Sequence, residues 1–191
     1  MATTVQAKIE PFSEPVSRIL KKYGEFPLPL TRSASCDESE TKALLNTPID
    51  SLFPGARCPE GALSGLLLIM GSWSESHRIS QDLDTREGNY WHAIGHRVEP
   101  DSWNAAYWFR KVGQHPIFPQ LRERAHDILE KVESKPWNVG NSWDPFVFIE
   151  WCYEARQLPN SIQEYVALHI QKAEWQLLFN WCAESTGSKP S

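Results

Sequence analysis

The stretch from Thr85 to Gly113, TREGNYWHAIGHRVEPDSWNAAYWFRKVG, decides the fold. Thr85 is a helix N-cap by residue type, and Glu87 follows it in the first turn, where a carboxylate meets the positive end of the helix dipole. The pattern predicts a helix to Val98. Asp101 caps a second helix, Ser102 to Val112, and Gly113 ends it as the residue past the C-cap. Nothing in the chain alternates strictly over five or more residues, apart from fragments such as Phe146-Val147-Phe148. Helical periodicity therefore dominates. An all-α, orthogonal helical bundle of about six to eight helices is expected.

Working outward, Ala62 to Leu83 reads as a helix bent at Gly71, and His115-Pro116 opens a helix to Val132. Asp144-Pro145 is a cap followed by proline, predicting a helix to Gln157. Ser161 caps a last helix to Glu184, with Tyr165, Leu168, Trp175, Leu178, Phe179 and Cys182 on its apolar face. Upstream, residues 1–12 read as a tail. Ser13-Glu14-Pro15 opens a short helix to Tyr23, Gly24 to Ser35 is an extended connector, Asp37 to Asn46 is helical, and Thr47 to Pro59 is turn-rich. The expected organisation is an N-terminal arm over 1–55, a helical core domain over 56–185 and a disordered tail over 186–191.

The chain has 191 residues, 41% of them hydrophobic and 23% charged, with a net charge of −5. That balance, with lysine and arginine scattered, argues against a nucleic-acid partner. The longest apolar run, Leu66 to Met70, is far short of the roughly 20 residues that span a bilayer. With no visible secretory or peroxisomal signal, a cytoplasmic protein without a membrane partner is the expectation. Cys36, Cys58, Cys152 and Cys182 fit neither a zinc ribbon nor a disulfide framework. Cys152 and Cys182, each after a tryptophan in a helical pattern, read as buried thiols. Nine tryptophans suggest a core of large side chains, an aromatic-walled pocket, or both.

Chemistry-bearing residues concentrate between His77 and His115. His92 and His96, spaced i, i+4, share one helix face, which is metal-ligand spacing. His77 can supply a third nitrogen, and Glu75, Asp82, Glu99 or Asp101 a carboxylate, giving a zinc site or a two-histidine, one-carboxylate iron site. Ala93 stands where a zinc protease has its glutamate, and no carboxylate cluster of the di-iron type is present. A metal-free site uses a histidine as general acid or base, with Tyr107 donating a proton or binding an oxyanion. Arg97 and Arg110 then hold an anionic group, with Asn104, Trp91, Trp108 and His115 completing the substrate contacts. The opposing reading gives the arginines helix-surface salt bridges, such as Arg97 with Glu99 or Asp101. His126-Asp127 lies in a charged helix face and His169 in an amphipathic helix. Glu174, beside Trp175, either pairs with an arginine of the site or is exposed. No glycine-rich nucleotide loop or nucleophile elbow is present, so no nucleotide cofactor is expected; a divalent metal remains open.

The run Tyr90-Trp91-His92-Ala93-Ile94-Gly95-His96-Arg97-Val98-Glu99-Pro100-Asp101, then Asn104-Ala105, Tyr107-Trp108, Arg110, Val112-Gly113 and His115-Pro116, resembles an uncharacterised family of small, mainly helical proteins from fungi and bacteria. Trp143-Asp144-Pro145-Phe146, Ile170-Gln171, Glu174-Trp175 and Leu178-Phe179 resemble that family's C-terminal part, so the likeness spans about residues 60–184. The resemblance implies no reaction and no catalytic roles. At Gly95 and Val98 the chain departs from the family, which carries larger or basic residues there; if these line a pocket, the ligand differs. Three functions are consistent with the sequence. The first is a cofactor-independent lyase, isomerase or cyclase acting on an anionic or carbonyl-containing small molecule in an aromatic-lined pocket. The second is a histidine-ligated, metal-dependent hydrolase or oxygenase. The third is a non-catalytic helical module that binds a ligand or partner.

Overall fold

A computed structural model describes residues 12–32 and 36–186. Among them are ten helices and no strand: α1 (Glu14–Tyr23), α2 (Glu38–Leu45), α3 (Ile49–Leu52), α4 (Pro59–Ile69), α5 (Trp73–Asp82), α6 (Arg86–Val98), α7 (Ser102–Val112), α8 (Phe118–Leu129), α9 (Pro145–Ala155) and α10 (Ile162–Ala183). The all-α expectation holds. The count exceeds six to eight for two reasons: the single turn α3 forms in the turn-rich segment, and the segment expected as one bent helix is two.

That break has a clear cause. Gly71, at φ +80°, takes the left-handed conformation that costs glycine least. Its N–H donates to Leu68 O at 3.1 Å and the Ser72 N–H to Leu67 O at 2.9 Å, the paired bonds that close a helix C-terminus. A bend would keep His77 on the axis of α4. The full stop lets α5 fold back instead, so His77 meets α6.

Side chains set most helix starts. Asp37, Thr85, Asp101, Asp144 and Ser161 each accept an N–H of the first turn. Ser13 occupies the cap position of α1 without a capping bond. Helix α8 starts at Phe118 rather than at Pro116 because a turn intervenes: Ile117 N–H donates to His115 Nδ1 and Phe118 N–H to His115 O. The tails expected at 1–12 and 186–191 lie outside the described residues, except for Phe12 and Thr186.

Helix α4 is buried on all sides from Gly61 to Leu68, as befits a central helix with no polar face. Around it pack α5, α6 and the 22-residue α10, and α6 packs most extensively against α7. Val16, Ile19, Leu28, Leu44 and Leu52 join the same core, so the N-terminal segment is packed into the bundle. No helix of the described residues is long and apolar enough to cross a membrane.

A buried polar strap crosses this core. Arg97 and Glu174, 1% and 0% exposed, form an ion pair between α6 and α10. Tyr90 Oη donates to Glu174 at 2.9 Å, and Arg97 Nε donates to Gln171 Oε1 at 3.1 Å. Gln171 Nε2 donates in turn to the carbonyls of Leu28 and Pro29, both at 3.0 Å. From α9, Arg156 donates to Arg97 O at 2.7 Å and Leu30 O at 3.1 Å. The extended connector is thus tied to α10 and the end of α9, and Arg32 N–H ties it to Val98 O of α6 at 3.2 Å. Buried polar groups satisfied in this way fix one arrangement of a bundle.

Candidate metal centre

Helices α5 and α6 bring His77, His92 and His96 together. One ligand nitrogen from each lies within 4.8 Å of the others. His92 and His96, one turn apart, approach to 3.0 Å between their Nε2 atoms. The His77 ring stands 4.3 Å from that of His92 and 5.4 Å from that of His96, centroid to centroid. A tetrahedral zinc ion at about 2.0–2.1 Å from each nitrogen needs the nitrogens about 3.4 Å apart. The His92–His96 pair, at 3.0 Å, is close to that spacing, and the His77 nitrogen lies within 4.8 Å of both.

The groups behind the rings decide what the nitrogens present. Ser80 Oγ donates its single proton to His77 O at 3.1 Å and lies 3.4 Å from His92 Nδ1. The proton of that second contact therefore comes from His92 Nδ1. His96 Nδ1 faces Glu99 Oε2 at 3.7 Å and Asp101 Oδ2 at 3.8 Å, beyond hydrogen-bond reach, and is buried without a hydrogen-bond partner. The two Nε2 atoms lie 3.0 Å apart: with His96 protonated at Nε2 it donates a hydrogen bond to His92, and with His96 protonated at Nδ1 both atoms present lone pairs. In the second tautomer the lone pairs repel unless a cation lies between or beside them. Carboxylate or hydroxyl groups holding the far nitrogen are the usual support of a histidine metal ligand.

Electrostatics favour the neutral imidazoles that a metal requires. Burial, then the neighbouring His77 and His96, then Lys111, push His92 down to about 3. Burial also lowers His96, against the opposing pull of Glu99 and Asp101. Trp108 covers the other face of His92, with centroids 4.1 Å apart, and the Lys111 ammonium sits 4.3 Å from the Trp108 ring centre.

A cavity of about 10 Å³ adjoins His77 and His92, lined also by Trp73, Ser80, Trp91 and Gly95. That volume suits one water or one ion. It does not accommodate a metabolite, so the aromatic-lined pocket expected around these histidines is instead packed core on its inner side. Of the four candidate carboxylates, Glu99 and Asp101 reach the back of His96, whereas Glu75 pairs with Arg78 at 3.0 Å. Asp82 is exposed and outside the cluster.

The remaining site residues scatter. Arg97 is committed to Glu174 and Gln171 in the core, where it holds the bundle and offers no anchor to an outside anion. The alternative that paired it with Glu99 or Asp101 on the helix surface is not seen either; Glu99 instead binds Arg32 at 2.9 Å. Trp91 is wholly buried, its ring lying against Gly65. Asn104 donates to Asp101 Oδ2 at 2.6 Å and so steadies a carboxylate behind His96. Tyr107 is 41% exposed and stacks with Trp103, and Arg110 is exposed on the same helix. His115 is buried elsewhere, with Nε2 3.8 Å from Glu87. Sequence reasoning missed Ser80 and Lys111. Ser80 lies three residues after His77 and Lys111 three after Trp108, spacings that put each pair on one helix face. Comparison with protein-family models, with curated proteins and with solved structures finds no match for this chain.

Proposed function

We propose that this protein is a metal-dependent enzyme whose mononuclear centre is formed by His77, His92 and His96. The observation that carries the reading is the convergence of three imidazoles, one nitrogen of each within 4.8 Å of the others and the Nε2 atoms of His92 and His96 3.0 Å apart. Three neutral nitrogen ligands and no carboxylate suit a zinc-type divalent ion. Three protein ligands leave a fourth position for water, whose pKa such an ion lowers toward neutrality. The chemistry that follows is hydrolysis or addition of water at a carbonyl or phosphoryl group. The inner side of the cluster is closed, so substrate approaches past the partly exposed rims of His77 and His96. Lys111, whose charge reaches His92, favours an anionic substrate. Glu99 and Asp101 lie behind His96, 3.7 and 3.8 Å from its Nδ1, and take no part in the substrate contact.

Elemental analysis of protein purified without chelator tests this. About one equivalent of a transition metal is expected, removed by a strong chelator with a fall in melting temperature and restored by zinc. His92→Ala and His96→Ala each reduce the metal content to below about a tenth of an equivalent, while His126→Ala leaves it unchanged. Metal-free wild-type protein whose melting temperature does not respond to added zinc, iron or copper refutes the reading.

A further inference from the structure

Cys58 and Cys182 are 124 residues apart in sequence and adjacent in space. Cys58 is the N-cap residue of α4, and Cys182 lies in the last turn of α10. Their backbones already touch: Cys58 N–H donates to Cys182 O at 2.9 Å, and Arg57 N–H to Glu184 O at 2.9 Å. A third observation places the sulfurs themselves. A Cβ built on Gly61 would lie 2.8 Å from Cys58 Sγ and 3.1 Å from Cys182 Sγ. Both thiols therefore crowd one point, and the missing side chain of Gly61 makes room for them.

The two thiols differ in ways that assign roles. Cys58 is 7% exposed and Cys182 fully buried. The Cys182 thiol bonds to Cys58, which holds the Cys58 thiol below its ordinary range, and Cys58 also stands at the positive end of α4. Burial, and then that same bond, push Cys182 well above the usual thiol range. Neither remaining thiol is so placed. Cys36 is exposed, and Cys152 is buried and raised to about 12 by its burial.

We infer that Cys58 and Cys182 form a reversible, peroxide-driven disulfide that clasps the start of α4 to the end of α10. Cys58 thiolate attacks one oxygen of hydrogen peroxide, the O–O bond breaks, and the departing hydroxide takes a proton to become water. Cys58 is then a sulfenic acid. The Cys182 sulfur attacks it, the S–O bond breaks, and the hydroxyl leaves as a second water with the Cys182 proton. Two thiols lose two electrons in all, and one peroxide becomes two waters. The backbone ladder between the two segments keeps the sulfurs in reach, so the link forms with little movement. The inference stands apart from the histidine centre.

The experiment uses the full chain as Cys36→Ser, stripped of metal by a chelator so that peroxide meets only thiols. Hydrogen peroxide at neutral pH is expected to remove two hydrogen masses from the intact protein. It is also expected to yield a Cys58–Cys182 linked peptide in a non-reducing digest, reversible by dithiothreitol. Cys182→Ser stops the reaction at a Cys58 sulfenic acid that dimedone traps. Gly61→Ala, which sets a methyl group against both sulfurs, slows linkage by more than about tenfold. Single oxidation of Cys58 without linkage, linkage seen only in unfolded protein, or thiols that stay free under excess peroxide each overturn the inference. Cys182→Ala replaces the serine variant if that one fails to fold.

Discussion

Replacing Glu174 by leucine keeps most of the side-chain volume and removes the charge that Arg97 faces. The guanidinium is 1% exposed and cannot turn to water, so it is left with Gln171 and the Phe148 ring 4.6 Å away. Tyr90 Oη loses its acceptor as well. Breaking a buried ion pair from one side costs about 3–5 kcal/mol. An orphaned buried hydroxyl adds about 1–3 kcal/mol. In a chain of this size each kcal/mol lowers the melting temperature by about 2–4 °C, so a fall of at least roughly 6–20 °C is expected. Removing both charges is a different perturbation. The double variant Arg97→Met with Glu174→Leu buries no ion and recovers most of the loss, and adding Tyr90→Phe recovers the hydroxyl penalty too. Guanidinium chloride unfolding followed by tryptophan fluorescence reads all four proteins. A loss below about 1 kcal/mol in Glu174→Leu, or a double variant no more stable than the single, refutes the assignment of Arg97 to the core. Metal content of the double variant is expected to equal that of wild type, since the pair lies on the other side of α6 from the histidines.

Further outcomes follow from the same contacts. Ser80→Ala leaves His92 Nδ1 without a partner, and competition with a zinc indicator is expected to show metal affinity weakened about 10–100-fold; unchanged affinity contradicts the tautomer assignment. Gly95→Ala adds a methyl group that meets nothing within 4 Å, so denaturant unfolding is expected to show a gain of about 0.5–1 kcal/mol. Gly65→Ala sets a methyl 2.5 Å from the Trp91 ring and is expected to lose about 1–3 kcal/mol in the same assay. Contact with His115, together with the bond from the Trp181 indole, lowers the Glu87 carboxyl to about 2. A depressed carboxyl pKa contributes stability that is present above the unfolded value of about 4.5 and lost as pH falls toward 2. Acid titration of Glu87→Gln should therefore show a shallower loss between pH 4.5 and 2 than wild type; superimposable curves count against the Glu87–His115 contact.

The sequence by itself determined what is local. Caps such as Thr85, Asp101, Asp144 and Ser161 act on backbone groups two or three residues away, so their helices begin where residue type puts them. The pairing of His92 with His96 was legible for the same reason, since a helix fixes the relation of i to i+4. Arg97 marks the limit. Its spacing of three from Ile94 and seven from Tyr90 sets it on the buried face, yet a buried guanidinium is tolerable only with a partner. That partner, Glu174, lies 77 residues on. Likewise Gly71 signals a break, but whether α5 turns back depends on what α4 and α6 offer to pack against. Only the tertiary structure decided that His77 joins the histidine pair, that Arg97 leaves the site for the core, and that Cys58 meets Cys182. Each is a contact between segments distant in the chain, fixed by the burial of apolar faces that no local rule specifies.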